Sequence, residues 1–289
     1  MGSHIPGNPT ILPQNMDGAS GVKATNYIYN VAPRDGTTFA GVHNSVPTAP
    51  QLSPDGVQYD VGKLNWIGNI TQDPFVGYLA TAAPINKLEE AMSKEVILGA
   101  NTPGTPDVDY ALISNALFGT KFKVVSGYKS LGDINLAMER GEVHGNFAVS
   151  WSSFKTTSPK WKTEGKLKLL DQYGLTKHPE IPEVPLFIDL AKNDADREAL
   201  QFVLARQDFS KPYIAPPEVP PARLAALRKA FDETIKDPKF LEAAAKANLD
   251  VDRPMQGPAL AQMIGKLAAT PAPLVERMTK ILTAPTAAK

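Results

Sequence analysis

Val96-Ile97-Leu98-Gly99-Ala100-Asn101-Thr102-Pro103-Gly104-Thr105-Pro106-Asp107 decides the architecture of this chain. The apolar run 96–100 is strand-like, and it stops at a turn rich in Asn, Thr, Pro and Gly. Thr105 is an N-cap type, Pro106 takes the first helical position, and Gly119 stands just past the end of the apolar pattern. The spacing predicts a helix over 106–118. Strand, turn and capped helix together are the building block of an α/β sheet. A helix that starts at a strand's end also turns free backbone N–H groups and a positive dipole toward any anion.

Two further turns have the same form. Asn15-Met16-Asp17-Gly18-Ala19-Ser20-Gly21 follows Thr10-Ile11-Leu12, and Gly127-Tyr128-Lys129-Ser130 follows Lys123-Val124-Val125. Strands are expected at 10–15, 38–42, 64–70, 76–81, 96–100, 123–126 and 166–170, with helices at 21–31, 106–118 and 131–140 among them. Ser130-Leu131-Gly132-Asp133 resembles a capping box, with Asp in place of the usual Glu or Gln. Alternation of this kind predicts parallel sheets. The last third reads as helices at 198–209, 221–236, 238–247, 259–268 and 274–282, with Leu224, Leu227, Phe231 and Ile235 forming one stripe. Thr71-Gln72-Asp73-Pro74 reads as a crossing between domains, giving a first domain of 1–75 plus 186–289 and a second α/β domain of 76–185.

Composition narrows the function. Of 289 residues, 30 are Lys or Arg and 30 are Asp or Glu, so no global field draws the chain to nucleic acid or to an anionic membrane. No cysteine is present, which excludes disulfides, thiolate zinc sites and cysteine nucleophiles. No pair of histidines has H-x-x-x-H spacing, and Ser150-Trp151-Ser152-Ser153 is not a G-x-S-x-G elbow. No phosphate-loop lysine accompanies the turns. Neither enzyme chemistry nor a cofactor or metal is expected. The first seven residues have no basic or apolar leader pattern, so no signal peptide is read in them.

The candidate ligand-binding residues are those that the turns present. Thr102, Gly104 and Thr105 form one group, and Gly18, Ala19 and Ser20 a second. Asn44 and Ser45 follow the strand at 38–42, Asn146 follows the 141–145 turn, and Tyr128 offers a ring and a hydroxyl. Each has a purely structural alternative as cap, turn residue or packing. Ligands of open α/β sheets bind at the carboxyl ends of strands, which favours the functional reading. A receptor for a small carboxylate, doing no chemistry on it, fits this set.

The motifs also resemble a known family. His4-Ile5-Pro6-Gly7-Asn8-Pro9-Thr10, Gln14-Asn15-Met16-Asp17-Gly18-Ala19-Ser20-Gly21 and Ala32-Pro33-Arg34-Asp35-Gly36 are similar, in order and spacing, to the tripartite tricarboxylate transporter family of solute-binding receptors. Gly127-Tyr128 followed by Ala137-Met138-Glu139-Arg140-Gly141-Glu142-Val143 resembles that family's second-domain signature. The resemblance implies a type II periplasmic binding-protein fold, two α/β domains with a ligand cleft, and C-terminal helices. It implies a periplasmic receptor that passes a di-, tri- or aromatic carboxylate to membrane transporter subunits. Two features depart from it. Asp17 stands where the family usually has proline, and the family's first strand, glycine-rich turn and helix precede the segment matching His4. From that second departure follows the expectation of an open strand edge and marginal stability. A non-binding homologue acting as an interaction protein, or an enzyme, are the alternatives.

Overall fold

The computed structural model describes residues 1–102, 105–247 and 249–283. The first elements are α1 (Val22–Asn30), β1 (Ala40–Gly41), α2 (Ala49–Leu52), β2 (Asn65–Asn69), β3 (Phe75–Ala80), β4 (Glu95–Ala100), α3 (Pro106–Phe118) and β5 (Lys121–Ser126). Then come α4 (Leu131–Glu139), β6 (Gly145–Ser150), α5 (Trp151–Thr157), α6 (Trp161–Glu164), β7 (Leu167–Tyr173) and α7 (Asp194–Leu204). Last come β8 (Pro212–Ala215), α8 (Pro221–Thr234), α9 (Pro238–Lys246), β9 (Met255–Gln256), α10 (Gly257–Ala268) and α11 (Ala272–Leu282).

These elements form two compact units. The first comprises Met1–Gln72 and Arg206–Pro271, and the second Asp73–Ala205 with the chain from Ala272 onward. The first unit's sheet has the order β1-β8-β2-β9 and is antiparallel throughout. The parallel pairing expected here is corrected: β2 leads out of the unit, and its neighbours β8 and β9 come from the returning chain and run against it. The expected strand at 10–15 is also absent. That segment pairs with nothing in the sheet, and Leu12 is 79 % exposed. The stripe on α8 packs as its spacing requires, with Leu227, Phe231 and Ile235 buried against Ile67, Ala215 and Val219 and Leu224 at their margin.

The second unit's sheet has the order β5-β4-β6-β3-β7. β5, β4 and β6 are parallel, while β3 runs antiparallel to both β6 and β7. Parallel pairing is therefore found in this unit, joined to an antiparallel margin. α3 packs on β5 and β6, and α4 on β4 and β6. Val76, Tyr78, Ile134, Met138, Val149, Trp151 and Phe154 belong to one buried cluster. Tyr110, Phe147, Tyr173 and Phe187 form an aromatic group, with Tyr110 stacked on Tyr173 at 4.5 Å between ring centres. Each such ring contributes about 1.5–3 kcal/mol by burial.

Residues 186–205 and α11, which the sequence reading grouped with the first domain, pack in this second unit. Phe187 enters the aromatic group, Met278 of α11 is buried, and α11 lies on α3. Arg277 Nη2 donates to Asp196 Oδ1 at 2.6 Å, tying α11 to the first turn of α7.

β6 can lie against β3 only because residue 145 has no side chain. A Cβ on Gly145 would stand 2.1 Å from the Tyr78 carbonyl oxygen and 2.8 Å from Leu79 Cα, both backbone atoms that cannot step aside. Gly145→Ala is expected to destabilise the protein by about 1–3 kcal/mol through overpacking. Urea unfolding of the variant beside the parent measures it, and an unchanged midpoint would contradict the close approach.

Candidate functional site

In the second unit, β4 and β5 are parallel and in register through Ala100↔Ser126, so their carboxyl ends lie side by side. Two turns 25 residues apart in sequence are thereby joined. Gly127 N–H donates to Asn101 O at 2.5 Å, Tyr128 N–H to Ala100 O at 3.2 Å, and Asn101 Nδ2 to Tyr128 O at 3.3 Å. Thr102, Thr105 and Tyr128 are thus brought to one end of the sheet. Gly104 lies outside the described residues. Tyr128 is half-buried, and its ring covers the Gly99 backbone beside Ile134 and Val143.

The start of α3 is as the sequence predicts at Thr105, Pro106 and Gly119, but its chemistry differs. Thr105 is extended and makes no side-chain cap; its hydroxyl faces Thr102 O and the Asp107 carboxylate instead. Asp107 is buried, and it takes the place expected for an outside anion. Its Oδ1 accepts Val108 N–H at 3.1 Å, and its Oδ2 accepts Asn101 N–H at 2.9 Å and Asn146 Nδ2 at 3.2 Å. Negative charge at a helix N-terminus is itself favourable, and every lone-pair direction of this carboxylate has a donor. The positive end of α3 is therefore largely neutralised from within.

Asn146 completes the arrangement. It is buried on β6, where its amide donates to Gly99 O at 3.1 Å as well as to Asp107, and its Oδ1 accepts Ala148 N–H at 3.1 Å. Both of its amide hydrogens and its carbonyl oxygen are engaged inside the protein. The outward-facing groups of this end are Thr102, exposed, and the turn at Gly127-Tyr128. The neighbouring α4 starts as its sequence predicts: Ser130 Oγ accepts Asp133 N–H at 3.2 Å and donates to Asp133 Oδ2 at 2.9 Å.

The first unit has a smaller cluster of its own. Gly18 and Ala19 adopt positive φ of 139° and 45°, and Ala19-Ser20-Gly21 makes a single 3-10 turn leading into α1. Gly21 abuts the segment after β1, since a Cβ there would lie 3.2 Å from His43 N. Asn44 Nδ2 donates to Arg206 O at 3.3 Å, and Ser45 Oγ lies 2.9 Å from His43 Nδ1. Ser45 N–H also points to Nδ1 at 3.2 Å, which assigns the neutral ring's proton to Nε2. Loss of hydration, then the Arg206 guanidinium, hold His43 below the ordinary histidine range. The structure thus joins Gly18, Ala19, Asn44 and Ser45 to His43 and Arg206. Arg206 carried no sequence signal, because nothing near it in sequence shows that the chain returns beside residue 44.

The other polar clusters are structural. His144 accepts Ile97 N–H and His178 accepts Glu180 N–H, both through Nδ1. Ser150 caps α5 by accepting Ser153 N–H, and Ser152 donates to Asp73. Among the described residues, no group of three His, Asp or Glu could hold a metal ion, and no helix is long and apolar enough to cross a membrane.

Comparison with known proteins shows the family and the fold. The profile of the tripartite tricarboxylate transporter family receptor matches residues 3–279. No curated protein matches the chain. Among solved structures, a TctC solute-binding protein from Polaromonas is similar at 18 % identity and a TM-score of 0.69, covering 91 % of this chain and 86 % of that one. MatC from Rhodopseudomonas palustris, with bound malate, is similar at 18 % identity and a TM-score of 0.54, covering 92 % and 85 %. An R. palustris protein with adipate is similar at 12 % identity and a TM-score of 0.56, covering 90 % and 82 %.

Asp107→Ala is expected to lose about 2–4 kcal/mol of stability, because it leaves the Asn101 N–H and one hydrogen of the Asn146 amide without an acceptor, while Val108 N–H keeps Thr105 O. Thr105→Val, which removes one hydroxyl from the same turn, should cost about 1 kcal/mol. Denaturant titration compares the two. A loss from Asp107→Ala no greater than that from Thr105→Val would mean that the carboxylate is not the anchor of the turn.

Proposed function

The chain belongs to the tripartite tricarboxylate transporter family of receptors, and on that premise we propose that it captures a small organic dicarboxylate and delivers it to membrane transporter subunits from the periplasm. The family and the fold are those of solute-binding receptors, not of enzymes. The observation that carries the choice of ligand is the joined pair of turns at the carboxyl ends of β4 and β5, stitched through Asn101. This is where open α/β sheets hold their ligands. The malate and adipate bound by two structural relatives support a four- to six-carbon diacid.

In this reading Thr102 and Tyr128 offer hydroxyl donors to one carboxylate. Asp107 and Asn146 do not touch the ligand; they hold the turn that does. In the first unit, Gly18, Ala19, Ser20, Asn44 and Ser45 are proposed as binding residues, with His43 Nε2–H as an added donor. Asp17 beside them disfavours a second negative group at that turn and favours a hydroxyl on the ligand.

Isothermal calorimetry with malate, adipate, citrate and benzoate tests the proposal. Binding of at least one diacid is expected, and Thr102→Val or Tyr128→Phe should weaken it about 10- to 100-fold, the worth of one hydrogen bond to a charged group. Heat-silent titrations with all four acids would remove the ligand class. Undiminished affinity in both variants would move the site away from these turns.

A further inference from the structure

Asp171 lies on β7 where the sheet is irregular. β3 meets β7 through Gly77↔Asp171, and the register then slips so that Tyr78 pairs with Leu169. The carboxyl is directed at the Gly77 backbone: a Cβ on that glycine would stand 2.3 Å from Oδ1. Asp171 is 1 % exposed, and neither of its oxygens has a hydrogen-bond partner. Tyr173, two residues on, is fully buried, and its hydroxyl also lacks one. Tyr110, Phe147 and Phe187 close around Tyr173 with ring centres at 4.5, 5.5 and 4.7 Å.

The charges near Asp171 do not help it ionise. The group that acts on it electrostatically is the Glu89 carboxylate, from the 3-10 turn Leu88–Met92, and it repels. Tyr173 is held well above its ordinary value by burial, and it remains a neutral phenol. β3 presents glycine there, and β6 and the turn Phe187–Leu190 present phenylalanine. Lys168, on the same strand, directs its ammonium to Thr81 O, Ala83 O and Asn86 Oδ1. Burial pushes the Asp171 carboxyl up to about 8. At neutral pH it is an uncharged acid.

β7 is suited to respond. It ends the order of its sheet, and its outer side is met by the isolated bridge Gln172↔Leu186 and by Gln172 N–H donating to Pro185 O. We propose that Asp171 is a protonation latch: the uncharged acid keeps β7 seated on β3, and any opening that wets the side chain releases its proton to water.

The seated strand holds the proton up to about pH 8, and the opened strand ionises as an ordinary aspartate near 3.9. The seated state therefore binds more protons between those limits. Its stability falls as pH rises, by up to tenfold in the opening equilibrium per pH unit.

Hydrogen exchange of the whole chain between pH 5 and 8, corrected for the intrinsic rate, reads this directly. β7 amides should lose up to tenfold protection per pH unit, while β4 and β5 amides keep theirs. Asp171→Asn should flatten the β7 slope, with Asp171→Ser as a second variant should the amide hinder folding. Tyr173→Phe should keep the slope. A flat slope in the parent, a slope surviving in the Asp171 variants, or one abolished by Tyr173→Phe would overturn the latch. So would an equal slope at every strand, which would make Asp171 a burden on the whole unit.

Discussion

The carboxylate of Asp107 holds together the end of the second unit that carries the proposed site. A buried charge is costly unless its lone pairs are met, and here backbone N–H groups, a hydroxyl and an amide meet them at the favourable pole of a helix. The arrangement has a supply chain. Gly145 lets β6 approach β3, β6 then places Asn146, Asn146 reaches both β4 and Asp107, and Asp107 fixes the turn after β4. The joined turns that face outward are the last link of that chain. Their geometry is inherited from side chains buried behind them.

Local signals were read well where the chemistry is local. Thr105, Pro106 and Gly119 bound α3, and Ser130 with Asp133 opens α4, because caps act within four residues of sequence. The apolar stripe of α8 was legible for the same reason. The first unit's sheet was not. The direction of β2 against β8 depends on where the chain returns after some 140 residues, and no local pattern encodes that. The strand expected at 10–15 has the right composition but finds no neighbour among the described residues, so propensity alone did not suffice.

For the proposed site, residue types pointed to the turns but not to the division of labour within them. Asp107 reads in sequence as an ordinary acidic residue in a first helical turn. Its role appears only when Asn101 and Asn146, from two other strands' ends, converge on it. Asn146 reads as a turn residue and is instead buried support. His43 reads as a loop histidine, and its company with Arg206 depends on the chain's return. The family resemblance, by contrast, is carried by several short motifs in fixed order, all within the length that the family model matches.

The interleaving of the two units has a consequence for how the protein comes into being. Neither unit is a continuous stretch of chain. The first must wait for β8, α8 and α10, and the second waits for α11, which seals α3 only after the whole first unit has been made. During synthesis from the amino terminus, the first unit's sheet therefore waits for β8 and β9, whereas the second unit's strands, all between Phe75 and Tyr173, are made before either. What stays uncovered until the last helix emerges is the part of α3 on which α11 lies.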